Sequence, residues 1–274
     1  MSKNTWLMRS MAIMAIMAVC LAATALLSIL SGCSSVQTNN GVSDDSLMKV
    51  KERGKLLVGT NLPYAPMEYY DETGKIVGFD IDIITKIASE LGVGVEIQDV
   101  PWDGLFDDVK SGRFDVIIDT ITINPRRMEE MLFSNPYMDG GQAIVIRREN
   151  DNIKELDDLK GRKVAVLKDT TGDEAAQEYV DQALLLKYES QDISTDHLKN
   201  KDADAMIVDY IVALSIVKSN PELKILDFKL TEEFYGIATK KGNDALMNEI
   251  NAILREMRQD GTLDSMVNKW AKNN

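Results

Sequence analysis

FDIDIITKIASEL at 79–91, followed by VGVEIQDV at 93–100, decides how this chain folds. In the first stretch Phe79, Ile83, Ile84, Ile87 and Leu91 return to one side at helical spacing, and the second reads as a strand. Leu56-Leu57-Val58 places a strand ahead of that helix. Beyond it, 102–111 is a short helix and Val116-Ile117-Ile118 a buried strand. The alternation returns with strands at 164–167 and 205–208, followed by helices at 171–179 and 210–218. Strands alternating with helices imply mostly parallel sheets covered on both faces, an α/β architecture. The chain ends in helices: Leu246, Ile250, Ile253, Leu254 and Met257 form a stripe, Gly261 stops it, and Thr262 can cap the next helix. Two stretches suit crossings between lobes, Met138-Asp139-Gly140-Gly141 and 231–236; paired glycines supply backbone freedom or simply a turn.

The first 32 residues are of another kind. Lys3 and Arg9 precede an uncharged run from Met11 to Leu30, and Leu30-Ser31-Gly32-Cys33 closes it. A secretory signal ending in a lipidated Cys33 explains that tetrapeptide; a plain membrane span explains only the apolar run. Several acyl chains on Cys33 would tether the rest outside the cytoplasmic membrane. Residues 33–47 are polar and read as the tether. The chain carries 44 acidic against 31 basic side chains, a formal charge of −13. Such a surface argues against nucleic acid as a partner. Cys20 leaves with the leader and Cys33 is consumed by lipid, so no disulfide is expected. With His197 as the single histidine, no metal and no cofactor are expected either.

Polar groups gather where strands end, the edge at which α/β sheets bind ligands. Asp119-Thr120-Ile121-Thr122 leads into Asn124-Pro125-Arg126-Arg127 at a helix start. Free N–H groups and a two-pronged guanidinium suit a carboxylate, while Asn124 with Pro125 equally makes an ordinary cap. Thr170 and Thr171 open another helix, with Thr171 and Glu174 fitting a capping box. Asp209 ends a strand, placed for an ammonium or to cap the helix from Tyr210. Tyr64, in a loop between Pro63 and Pro66, and Trp102 offer aromatic walls or rim packing. No Ser-His-Asp grouping or phosphate-cradling glycine loop is present, so no catalytic residue is assigned.

Between 56 and 270 the chain resembles the polar amino-acid family of extracellular solute-binding proteins of ABC importers. The stretches that carry the likeness include Tyr64-Ala65-Pro66-Met67-Glu68-Tyr69, Gly78-Phe79-Asp80-Ile81-Asp82, Thr122-Ile123-Asn124-Pro125-Arg126-Arg127, Phe133-Ser134-Asn135-Pro136-Tyr137, Tyr235-Gly236-Ile237-Ala238 and Asp260-Gly261-Thr262. The resemblance implies a two-lobed clamp joined by two hinge strands, with 48–138 and 235–274 in one lobe and 139–234 in the other. It implies a monomer that binds a free amino acid and hands it to permease subunits, without catalysis. Arg127 would grip the ligand carboxylate, assisted by Thr122 and Thr171, and Asp209 would take the ammonium. Tyr64 and Trp102 would flank the side chain. The chain departs from the family by carrying Asn61 where basic-residue binders commonly have an acid, and Asp119 where a small or hydroxyl residue is usual. Asp119, with Thr120 beside it, would face the side-chain end, and an unpaired carboxylate in a dry cleft favours a basic ligand such as arginine or lysine. The alternatives are a cyclohexadienyl dehydratase on the same clamp, acting on prephenate or arogenate with Asp119 as general acid, or a ligand sensor for a membrane receptor.

Overall fold

Leu56 and Val58 are fully buried, so β1 (Lys55–Thr60) runs inside a sheet rather than along its edge. The computed structural model describes residues 44–272. Cys33, the leader expected over 1–32, and residues 33–43 of the expected tether lie outside them. Residues 44–47 correct the tether's far boundary. The helix Ser46–Arg53 already begins there, and the Asp44 carboxylate accepts the backbone N–H groups of Ser46 and Ala245. A polar side chain that satisfies a helix's free N–H groups orders a stretch whose composition alone reads as mobile.

After β1 come a small hairpin, β2 (Tyr69–Tyr70) and β3 (Ile76–Val77), then the helix Phe79–Glu90 and β4 (Gly94–Asp99). The helix Trp102–Ser111, β5 (Val116–Ile117), the helix Pro125–Glu130 and β6 (Met131–Phe133) follow. The chain crosses on β7 (Met138–Gly140) to β8 (Gln142–Arg147), and continues through β9 (Val164–Leu167), the helix Thr171–Ala176, β10 (Leu185–Tyr188) and the helix Gln191–Lys199. β11 (Ala205–Asp209), the helix Tyr210–Ser219 and β12 (Leu223–Lys229) complete the second lobe. β13 (Glu233–Tyr235) returns to β14 (Ala238–Lys240), and the helices Asp244–Gln259 and Thr262–Val267 close the first lobe.

The first sheet is ordered β4-β1-β5-β14-β6 and the second β10-β9-β11-β8-β12. In each, four strands run one way, three of them joined by helices, and one runs against them, β14 in the first sheet and β8 in the second. The antiparallel members are those next to the crossings, where the chain enters a sheet without a helical connection. Phe79, Ile83, Ile84 and Ile87 bury one face of their helix, and Leu246, Ile250, Ile253 and Leu254 bury the matching stripe of the C-terminal helix. Trp270 then lies edge-on to Tyr69, its indole N–H donating to Asp82 at 2.7 Å.

β7 and β13 pair antiparallel, Glu233 opposite Gly140 and Tyr235 opposite Met138, as the ribbon connecting the two sheets. The ring of Tyr235 lies so close that a Cβ on Gly140 would sit 2.1 Å from its Cζ. Gly141 adopts φ +133°, and a Cβ there would meet the Thr231 carbonyl oxygen at 2.1 Å. Gly140 is therefore required by contact with the Tyr235 ring, and Gly141 by both backbone contact and conformation. Gly141→Ala is expected to destabilise the protein by about 1–3 kcal/mol or more, since strain and overlap act together. Urea unfolding measures it; a variant with the parent's midpoint would contradict the assignment.

Candidate functional site

The carboxyl ends of β1, β5, β9 and β11 face one crevice, the edge at which α/β sheets bind ligands. Asn61, Tyr64, Trp102, Asp119, Thr120, Thr122 and Arg127 line it from the first lobe, and Thr171 and Asp209 from the second. All nine side chains singled out in the sequence meet there. Gln142, Lys168, Tyr188 and Glu189 join them.

Arg127 is turned inward because its helix starts one turn earlier. Asn124 caps it, its Oδ1 accepting the Arg127 N–H at 2.8 Å, with Pro125 at the first helical position. Cap and candidate ligand group are thus one device. The guanidinium is buried, 5.5 Å from the Trp102 ring centroid and 5.2 Å from that of Phe106, and donates to the Thr122 carbonyl at 3.1 Å. Burial, with Arg126 nearby, lowers its pKa, opposed by Glu174, Glu233 and Asp209. Arg126 itself is exposed and pairs with Glu174 of the other lobe at 2.5 Å.

That pair corrects the expected capping box. The helix Thr171–Ala176 is capped by Thr170, whose Oγ1 accepts the Asp173 N–H at 3.2 Å. Asp169 at φ +59° turns the chain into the helix one residue earlier than the motif implies, so Glu174 is free for Arg126 and Thr171 for the crevice. Thr122 and Thr171 both donate to Glu233 Oε2, at 2.5 and 2.9 Å. Their hydroxyls lie 3.3 Å apart across the lobes.

Asp209 precedes the helix Tyr210–Ser219 but makes no side-chain cap. Its Oδ1 accepts from Tyr235 at 2.6 Å and Gln142 at 2.8 Å, its Oδ2 from Tyr64 at 2.5 Å. Burial raises its pKa from an ordinary 3.8 to about 6 despite those bonds. Trp102 donates to the Asp169 carbonyl at 3.3 Å. Asn61 sends its amide to the Val100 carbonyl at 2.9 Å, and its backbone N–H holds Asp119 at 3.2 Å. Thr120 sits at φ +50°, uncommon for a β-branched residue, with its buried hydroxyl unpartnered.

Gln142, Glu233 and Tyr235 were missed as site residues. A usable signal existed for Gln142: it opens a run of four apolar residues, Ala143-Ile144-Val145-Ile146, that reads as a buried strand. None marks Glu233, which looks like one acid among many.

The model of the bacterial extracellular solute-binding proteins, family 3, matches residues 56–273. The L-cystine-binding protein TcyJ of Escherichia coli (strain K12) is 35% identical over 231 residues, 83% of this chain and 87% of that protein. Among solved structures, an ancestral arginine-binding protein bound to arginine superposes with a TM-score of 0.75 at 41% identity, covering 80% of this chain and 98% of the other. An ancestral amino acid-binding protein, a precursor of cyclohexadienyl dehydratase, superposes at 0.78 with 37% identity, covering 83% and 100%.

Burial also raises Asp80 and Asp119 from 3.8 to about 7 each. A carboxyl whose pKa is higher folded than unfolded binds its proton more tightly in the folded state. Its cost to stability is present above about 7 and is relieved as the pH falls toward 4. The protein without ligand is therefore expected to gain stability, on the order of a few kcal/mol, between pH 8 and pH 5. Urea unfolding across that range checks it, and Asp119→Asn should flatten the slope. A steady loss of stability on acidification would contradict it.

Proposed function

The chain belongs to the bacterial extracellular solute-binding proteins, family 3, and from that premise we propose that it captures a free amino acid, preferring a basic one such as arginine or lysine. Arg127 of the first lobe and Asp209 of the second, both buried and lining one crevice, carry this reading. A guanidinium binds a carboxylate through two parallel bonds. Asp209, which accepts two neutral donors on Oδ1 and one on Oδ2, keeps a lone pair on Oδ2 for an ammonium. The two ends of a zwitterion are thereby read from opposite sides, which couples binding to closure of the lobes. Trp102 and Tyr64 wall the space between them.

Asp119 supplies the preference for a cation, since an acid in a dry cleft is best matched by a basic side chain. The names of the similar proteins fit a small amino-acid ligand: one binds L-cystine and another is bound to arginine. The loaded protein would deliver its ligand to the permease subunits of an ABC importer, held outside the cytoplasmic membrane by lipid on Cys33, and would act as a monomer. One observation favours a second reading: Asp119 is held toward its protonated form, as a general acid must be, and one similar structure is a dehydratase precursor. Aromatic product from prephenate or arogenate would establish that alternative, and its absence would remove it.

Screening the twenty amino acids by thermal shift tests the reading, because a ligand that binds only the folded state raises the melting temperature. Arginine or lysine is expected to give the largest rise. Arg127→Ala and Asp209→Ala should each weaken binding on the order of 100-fold or more, as truncating one partner of a buried charged pair does. A panel in which no amino acid moves the transition would overturn it.

A further inference from the structure

Behind Asp119 lies a second, hidden set of acids that the amino-acid reading does not use. Glu68, in the loop between β1 and β2, is fully buried, and neither of its carboxyl oxygens has an N–H or O–H donor. Asp80, at the start of the helix Phe79–Glu90, is also fully buried. Its Oδ2 accepts the Thr120 N–H at 2.8 Å and the Tyr137 hydroxyl at 2.9 Å, while its Oδ1 has no donor. The Asp80 N–H donates to the Met67 carbonyl at 3.0 Å, one residue before Glu68, and the Thr120 that donates to Asp80 follows Asp119, so the three acids are neighbours; burial, and then the Asp119 and Asp80 charges, raise the Glu68 pKa. Only Asp119 of the three lines the crevice.

Three buried carboxyls in contact cannot all be ionised. Among the described residues no lysine or arginine pairs with any of them, and no cluster of donors is arranged to hold a metal ion. The other titratable groups facing the set are Tyr64, Tyr137, Tyr235 and Asp209, which add negative charge or none. What remains to reconcile the facing oxygens is hydrogen: an acid proton donated from one carboxyl to the next, as in other close carboxyl pairs.

We propose that Glu68 is a positioning residue for ligand charge: it keeps its proton and donates it toward Asp119, so that Asp119, neutral in the empty crevice, releases its own proton to solvent when a cationic side chain arrives. This rests on the amino-acid reading for the identity of the ligand, but the donated proton is a property of the protein alone. A ligand with an uncharged polar side chain leaves the Asp119 proton in place and receives a hydrogen bond from Asp119. A basic ligand exchanges that proton for its own charge. One site is thereby tuned by pH between two ligand chemistries, and acid favours the neutral one.

Two measurements test it. Carboxyl ¹³C NMR of the whole extracytoplasmic chain without ligand is expected to show Asp119 titrating near neutrality; Glu68→Leu, which removes the donated proton, is expected to raise that midpoint by at least a pH unit, and Glu68→Gln, whose amide still donates, to leave it in place. Titration calorimetry with L-arginine, in two buffers of different ionisation enthalpy at pH 6, is expected to show about one proton released per ligand beyond that seen with Asp119→Asn. That variant accounts for Asp209, which also titrates in this range. Arginine affinity should rise up to tenfold per pH unit between 5 and 7 and level off above. An Asp119 that titrates in the ordinary carboxylate range overturns the proposal, as does arginine binding without that extra proton. If neither arginine nor lysine binds, the amino-acid reading fails while the NMR titration still decides the donated proton. If Glu68→Leu does not fold, the wild-type measurements stand by themselves.

Discussion

Five buried carboxyls surround the crevice, those of Glu68, Asp80, Asp119, Asp209 and Glu233, and one buried guanidinium faces them. Ionised groups out of water are stable only when paired, hydrogen-bonded or discharged. Each acid meets that requirement differently. Asp209 is wrapped by two phenols and an amide. Glu233 collects three threonine hydroxyls, from Thr122, Thr171 and Thr231. Glu68, Asp80 and Asp119 lean on one another. The surplus of acid is the constraint to which the rest of the site answers.

That surplus also explains where the lobes touch. Tyr64 reaches from the first lobe to Asp209 in the second, Trp102 to the Asp169 carbonyl, and Arg126 to Glu174. Glu233, on the ribbon between the sheets, holds a hydroxyl from each side. The contacts from Tyr64, Thr122 and Thr171 are neutral donors to buried carboxylates, and among the described residues the one ion pair between the lobes is on the rim, where charge is screened and contributes little. Satisfying these acids with hydroxyl donors lets the lobes meet without adding cations at those contacts.

Much of this was legible from period and position. The helix at 102–111 lies at Trp102–Ser111, and the apolar stripe of 79–91 forms the buried face of Phe79–Glu90. Strand ends are recognisable because polar residues break apolar runs there, as they do around Asp119, Thr122 and Asp209. What was hidden depends on contacts distant in sequence. Glu68 and Asp119 stand 51 positions apart by their numbers, and nothing local says that one carboxyl rests on the other. The capping box at Thr171 misled by one residue, because a motif match cannot see the left-handed turn at Asp169. Asp44 and Ser46 read as tether because their partner, the start of the helix Asp244–Gln259, is 200 positions away.

The threonines show how geometry refines a role that resemblance supplies. A hydroxyl has one proton to give. Thr122 and Thr171 give theirs to Glu233, so in this arrangement neither can also donate to a bound carboxylate. Under the proposed reading, holding that carboxylate would then fall to Arg127, fixed between Trp102 and Phe106. The Arg127 side chain is already anchored by the Thr122 carbonyl, so little of its freedom remains to be lost on binding. The threonines are better understood as linking both lobes to the ribbon strand that carries Glu233. Any motion separating Thr122 from Thr171 must first break one of two bonds to a single carboxylate oxygen.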